Sequence, residues 1–432
     1  MCTKNDDKKY VLTPFAIWSC IMIPFINNFI IINFNNSKIY YILSILIFFI
    51  SIIFILKKTN IHSYITSQVK IEIFCIFIIL VFTIASYFIS SNVNLFKYLY
   101  KYLFLLSITF LVINERNIFY KKVERNYYYK KVKYNIPILF YVVINIVGVF
   151  LQSVNSSIYN KYILGSYYEL AYGYRFGSIR YSGMFCWPNL FAYSTGAIYL
   201  LTYTLNLSGW IRLLLLLLIV LSKVRTVLIA IITIEIINII FVNKKLFFKN
   251  IKKITLFMIF AVVMGSYYAN NFINSIFIAT SSYNYRLDTI ITSLKFLFSK
   301  NYLTILFGTG LGRFSFNNIS INNYDSYLNG YFNNLQTILG TSDTFFTVIG
   351  EVGLVGTILI IILVISLFNK MNISGKLLII YLLIISYSTS SPISYYGSYL
   401  AVMLIIVQGL LEKSLKMKET NNHEKLSHNG LG

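Results

Sequence analysis

Charge is scarce in this 432-residue chain: Asp, Glu, Lys and Arg make up 12% of it, and acidic residues number only 14. A soluble domain is about a quarter charged and about half apolar. Here 57% of residues are hydrophobic and mean hydropathy is +0.69. These proportions exclude a water-soluble enzyme and a disordered chain. Cysteine is scarce too. Cys2, Cys20, Cys75 and Cys186 are scattered and no CxxC occurs, which excludes a disulfide scaffold and argues against a zinc site or a redox pair. The start MCTKNDDKKY is basic and leads into an apolar run without a small-residue cleavage site. The expectation is a retained first span.

Long apolar runs are what the chain has in quantity. They lie at about 11–32, 39–56, 71–89, 98–113, 136–151 and 189–205, then at 211–221, 227–242, 254–268, 345–367, 377–388 and 394–411. A bilayer span takes about 20 apolar residues, and in lipid the backbone satisfies its own polar groups by forming helix. The expected fold is all-α: a polytopic integral membrane protein of about 12 transmembrane helices with two large extracytoplasmic loops. The divisions are an N-terminal transmembrane bundle over 1–151, a first extracytoplasmic loop over 152–188 and central helices over 189–268. A second loop over 269–343, C-terminal helices over 344–411 and a cytoplasmic tail over 412–432 complete the chain. The stretch 211–242 carries Ser222, Lys223, Val224 and Arg225 in its middle. As one helix it would be about 48 Å long, so two short spans meeting at an outer turn are expected.

The net charge of +23 is a matter of location. With both termini cytoplasmic, 25 of the 37 basic residues fall inside and 12 outside, the bias that membrane proteins follow. Nucleic acid is therefore not an expected partner. The basic, Tyr-rich segment around Lys121 to Lys133 reads as a cytoplasmic loop near anionic lipid heads. Heavy use of Ile, Asn, Lys, Tyr and Phe fits an AT-rich bacterial genome, and the expected location is a bacterial cytoplasmic (inner) membrane.

Both long loops are rich in Tyr, Asn, Ser and Gly, a composition suited to hydrogen bonding and to stacking on sugar rings. Within the second, residues 285–298 show near-helical spacing of apolar side chains, as for a helix lying on the outer leaflet. Gly308, Gly310 and Gly312 follow. With no strand before them they read as a turn that lets the backbone approach a ligand or a helix, not as a nucleotide loop. The outer side also holds Arg175, Arg180, Arg225, Arg286 and Arg313, where basic residues are disfavoured. Charge at a membrane edge marks function by default, and guanidinium binds phosphate in a bidentate fashion. Outer acids are few: Glu169, Asp288, Asp325 and Asp343, with Glu235 and Glu351 inside spans, where arginine is the expected partner. No DxD lies outside, and His62, His423 and His428 are all expected in the cytoplasm. No metal and no cofactor is expected.

Four segments carry a family resemblance: Arg180 to Asn189; Ser222 to Thr226; Arg286 with Leu306 to Gly312; and Ser342 to Phe346 with Glu351 to Gly356. In order and placement they resemble the O-antigen polymerase and ligase superfamily, the Wzy-type polysaccharide repeat-unit polymerases included. The resemblance covers roughly residues 175–360. In the second segment Lys223 and Val224 are inserted into the family's Ser-Arg-Thr turn. The ligase branch has a histidine near position 342, where this chain has Ser342-Asp343, which favours polymerase.

The resemblance implies a glycosyltransferase that joins undecaprenyl-diphosphate-linked oligosaccharides into capsule, exopolysaccharide or O-antigen at the outer face of the membrane. In the reading that combines it with the residues, Arg180, Arg225 and Arg286 hold the donor's diphosphate, and Asp343 or Glu169 takes the acceptor's proton. Arg175, Arg313, Tyr167, Tyr168, Tyr181, Asn189 and Gly310 complete the substrate site, with Tyr172 and Tyr174 as further stacking rings. Expected partners are lipid-linked oligosaccharides and membrane lipids, with a flippase and a chain-length regulator as further candidates. The alternatives are a ligase-like transferase, and a lipid-linked oligosaccharide flippase or other transporter. Against a transporter stand the long outer loops and the absence of a repeat between 1–210 and 211–432.

Overall fold

The computed structural model describes residues 8–34, 107–109, 111–113, 115–124, 132–165, 179–205, 207–242, 302–308, 344–386 and 400–411, with single residues at 46, 49, 50, 53, 78 and 81. Of the described residues 86% are helical, so helix dominates as the apolar runs require. The longer elements are α1 (Pro14–Phe34), α2 (Val132–Ser153), α3 (Pro188–Thr204), α4 (Gly209–Ser222) and α5 (Arg225–Val242). They are followed by a short α6 (Tyr302–Phe307), then α7 (Thr344–Lys370), α8 (Ile373–Ser386) and α9 (Leu400–Leu411). The expected spans at 39–56 and 71–89 are represented only by single helical residues. The expected span at 254–268 and the amphipathic stretch at 285–298 lie outside the described residues.

Among the described residues two helices are long and apolar enough to cross a membrane: Asn135–Ser153 within α2 and Ile349–Lys370 within α7. Their apolar side chains are mostly not packed inside the protein. On α7, Leu354, Ile358, Ile361, Ile362 and Ile365 stand exposed at the i, i+4, i+7 spacing of one helix face. On α4 the same spacing exposes Leu213, Leu217 and Val220, and on α5 Ile229, Ile232 and Ile236. Apolar stripes of this extent on a water-facing surface would drive association; facing lipid they cost nothing. They are the structural mark of membrane association.

Among the described residues the all-α expectation meets one exception. Lys8–Leu12 (β1) pairs antiparallel with Tyr120–Glu124 (β2), from Lys8 opposite Glu124 to Leu12 opposite Tyr120. Val11 and Leu12 suit a pleated surface. The sequence reading extended the first apolar run to residue 11, because Val11 and Leu12 are as apolar as the helix beyond them. The helix begins later, where Thr13 caps α1. Its hydroxyl accepts from the Ala16 N–H at 3.4 Å, its own N–H donates to the Phe119 carbonyl at 2.8 Å, and Pro14 takes the first helical position, where no N–H is needed.

The stretch 211–242 is two helices, broken at Lys223, whose φ of 55° ends α4 in a left-handed cap. From this turn α4 packs mainly on α3 and α2, and α5 mainly on α8. The half-buried Phe25 ring lies 5.2 Å from the buried Phe185 and 5.7 Å from the buried Tyr141, and Phe185 lies 5.9 Å from Phe191. They lock α1, α2 and α3 around the segment that leads into α3.

Candidate functional site

Residues 180–182 run between α2 and α4 and lead into a turn at Gly183 and Met184, and the segment is fastened on both edges. The Gln152 side chain donates to the Arg180 carbonyl at 2.9 Å and accepts from the Ser182 N–H at 2.8 Å. On the other edge the Tyr181 N–H donates to the Leu221 carbonyl at 3.3 Å. Asn145 accepts from the Met184 N–H at 3.0 Å, and Tyr159 donates its hydroxyl to the Gly183 carbonyl. Gly183 has φ of +56°, and a Cβ there would stand 2.4 Å from the Asn145 side-chain oxygen. Only glycine takes this conformation at this distance without cost.

The clamp holds Arg180 at the N-terminus of α3. Its guanidinium donates to the Asn189 side-chain oxygen at 2.7 Å. A helix N-terminus is already positive, so Arg180 adds to a potential of the same sign. The bond between Tyr181 and Leu221 sets this segment beside the α4–α5 turn, which carries Lys223 and Arg225, both exposed. The three cations interact. Burial lowers the pKa of Arg180 from its usual range; Tyr193 opposes this and Arg225 adds to it. Partial desolvation lowers that of Lys223, and the charge of Arg180 adds to it. The turn is fixed from within, since the Val224 N–H donates to the Ser222 hydroxyl at 3.3 Å and the Lys223 N–H to the Val220 carbonyl at 3.0 Å. The result is a rigid cationic mouth at one end of α3, α4 and α5. Mutually repelling charges held by separate clamps make a surface suited to a multiply charged anion.

A second constellation lies toward the other end of the same helices. Glu235 on α5 accepts the hydroxyls of both Tyr199 and Tyr203 on α3. The guanidinium of Arg212 on α4 lies 4.7 Å from the centre of the Tyr203 ring and donates to the Leu207 carbonyl at 3.2 Å. The expectation that an arginine is the partner of Glu235 is corrected here. Two phenols occupy the carboxylate, because Glu235 lies about 15 Å along α5 from Arg225, and Arg212 bears on it through the Tyr203 ring.

A third junction concerns the glycine-rich segment. Gly308, with φ of +82°, touches the backbone of Glu351 to Gly353, and Gly353, with φ of +70°, interrupts α7 at that contact. A Cβ on Gly308 would fall 2.2 Å from the Glu351 carbonyl. At Gly308, then, the tight backbone approach is to a helix.

Of the residues singled out in the sequence, the structure brings Arg180, Tyr181, Asn189 and Arg225 into one region. Arg286, Asp343, Glu169, Arg175, Arg313, Tyr167, Tyr168 and Gly310 lie outside the described residues, as do Tyr172 and Tyr174. Sequence reasoning missed Lys223, seen only as an insertion, and missed Asn145, Gln152 and Tyr159. A signal for two of these was present. Asn145, Gly148 and Gln152 follow i, i+3, i+7 spacing on an otherwise apolar helix, which places two amides and a close-contact glycine on one face. Among the described residues no three His, Cys, Asp or Glu side chains gather as a metal site. Compared with known proteins, the chain matches no family model and no curated protein.

Proposed function

We propose that this chain is a membrane glycosyltransferase that polymerises oligosaccharide units carried on a polyprenyl diphosphate, as the resemblance of its four segments implies. The observation that carries the reading is the convergence of Arg180 with Lys223 and Arg225, which lie far along the chain from it, the first in a loop and the others at a helical turn. In this proposal the donor chain enters from the outer leaflet with its diphosphate at the mouth. The acceptor hydroxyl attacks the anomeric carbon, the carbon–oxygen bond to diphosphate breaks, and the lipid diphosphate leaves. Negative charge grows on that leaving group, and fixed guanidinium groups in a site of low dielectric stabilise it. Arg286 joins them in the proposal, with Asp343 or Glu169 receiving the acceptor's proton.

The proposal includes about twelve spans, both termini in the cytoplasm of a bacterium and the mouth outside. The β1–β2 ribbon supports the topology: residues 8–12 and 120–124 share one side, as four spans between them require. Extension of a defined lipid-diphosphate-linked repeat unit by the purified protein tests the activity. Arg180→Ala, Arg225→Ala and Arg286→Ala should each abolish long polymer at normal membrane levels, and chelator should leave the wild-type protein active. Full-length polymer from all three variants would refute the reading.

A further inference from the structure

We infer that Gln152 is the positioning residue for the Arg180 guanidinium, an inference that rests on the function proposed above. The side chain of Gln152 is fully buried, with 0% of its surface exposed. Its amide donates to the carbonyl of Arg180 and accepts from the N–H of Ser182. That is the pattern a neighbouring β-strand makes with alternate residues, supplied here by one side chain at the end of α2. With the bond from Tyr181 to Leu221 on the opposite edge, the tripeptide is held as the middle strand of a three-part ladder. The Tyr159 hydroxyl also reaches the Gln152 oxygen, at 3.4 Å.

The consequence is chemical. An arginine side chain is long, and its aim depends on where its backbone is pinned. Asn189 fixes the guanidinium end, and Gln152 fixes the main-chain end. Both ends must be held for the group to meet charge that develops only as the diphosphate leaves. Errors of about 1 Å in such placement cost on the order of a hundredfold in rate. Loss of Gln152 should therefore fall on kcat, where transition-state contacts are read, and spare KM.

The experiment uses full-length protein in detergent with two variants. Gln152→Met removes both bonds at similar volume. Gln152→Glu keeps the acceptor for Ser182 and removes the donor to Arg180. Both should lower kcat for repeat-unit extension by about ten- to a hundredfold, with KM within about threefold, measured on the folded fraction at a temperature below the lowered melting point that loss of buried hydrogen bonds brings. Inorganic pyrophosphate should protect Arg180 of the wild type from phenylglyoxal, as read by peptide mass, and protection should fall in both variants. If wild type shows neither extension nor pyrophosphate protection, the proposed function fails and this inference falls with it. If wild type shows both and a folded variant keeps its kcat and its protection, the positioning role alone is overturned. If neither variant reaches the membrane folded, Gln152 is a folding residue and the inference is likewise overturned.

Discussion

The two ends of α3 handle charge in opposite ways. At its start Arg180 is joined by Lys223 and Arg225, and the pKa values of Arg180 and Lys223 are lowered by burial and by the like charges beside them. Toward its other end Glu235, two tyrosines and Arg212 form a set that is balanced within itself. The same helices carry both. A balanced set has no call on a ligand; it ties α3 to α5 where lipid offers no hydrogen bonds. A set of like charges is tolerated only where rigid clamps hold it, and it favours whatever anion can share the site. Under the proposed function the comparison separates a structural polar cluster from a ligand-binding one: the sign of the sum decides, more than the presence of charge.

The sharpest way to break this contrast is to remove one charge from each end. Arg180→Ala should cut repeat-unit extension by about 10²–10³-fold, the usual size for a preorganised donor to developing charge, with little change in melting temperature. Glu235→Leu should do the reverse, leaving two phenols without their acceptor and costing about 1–3 kcal/mol of stability, while extension by the folded fraction persists. Activity assays and thermal melts of the two variants side by side would invert the argument if Glu235→Leu lost turnover and kept its stability.

A smaller effect sharpens it further. Tyr203→Phe removes one of the two hydroxyls on Glu235 and should cost about 1 kcal/mol, because Tyr199 still serves the carboxylate. A melt showing no change would mean that Tyr199 alone carries the latch.

The smallest expected effect concerns pH. Lys223 has its pKa lowered by partial desolvation and then by Arg180. Its proton is therefore lost at a lower alkaline pH than an ordinary lysine's. The sign follows: its share of anion binding is full below the lowered value and gone above it. The charged form is penalised in the fold, so the same ionisation slightly favours the folded state as pH rises toward the ordinary lysine range. The alkaline limb of kcat/KM, which reports the free protein, should move to higher pH in Lys223→Arg. An unchanged limb would remove Lys223 from the mouth.

Much of the helical frame was legible in the sequence, because apolar runs in lipid leave the backbone few alternatives. The starts of α2, α3 and α7 lie within a few residues of the runs at 136, 189 and 345. The break at Lys223 was legible from the length of the stretch and the charged residues in its middle. The β1–β2 ribbon was not, since pairing between segments so far apart leaves no local periodicity, and Val11 and Leu12 read as helix. At the mouth, Arg180 and Arg225 stood out as charges in the wrong place. Gln152 did not, because a single amide inside an apolar helix reveals its partners only when the chain has folded back on it. Glu235 was recognised as needing a partner, but the partner was assigned by charge, and tyrosine one helix away served instead.

The ribbon near the beginning of the chain has a consequence for synthesis. Thr13 bonds to the Ile118 carbonyl, 105 residues ahead, and β1 finds its mate only when β2 has left the ribosome. The start of α1 must therefore stay unfastened until then and be clasped afterwards. A bulky fusion joined directly ahead of Lys8 would act on that delayed clasp, and its cost would show as slow maturation rather than as a weaker finished protein.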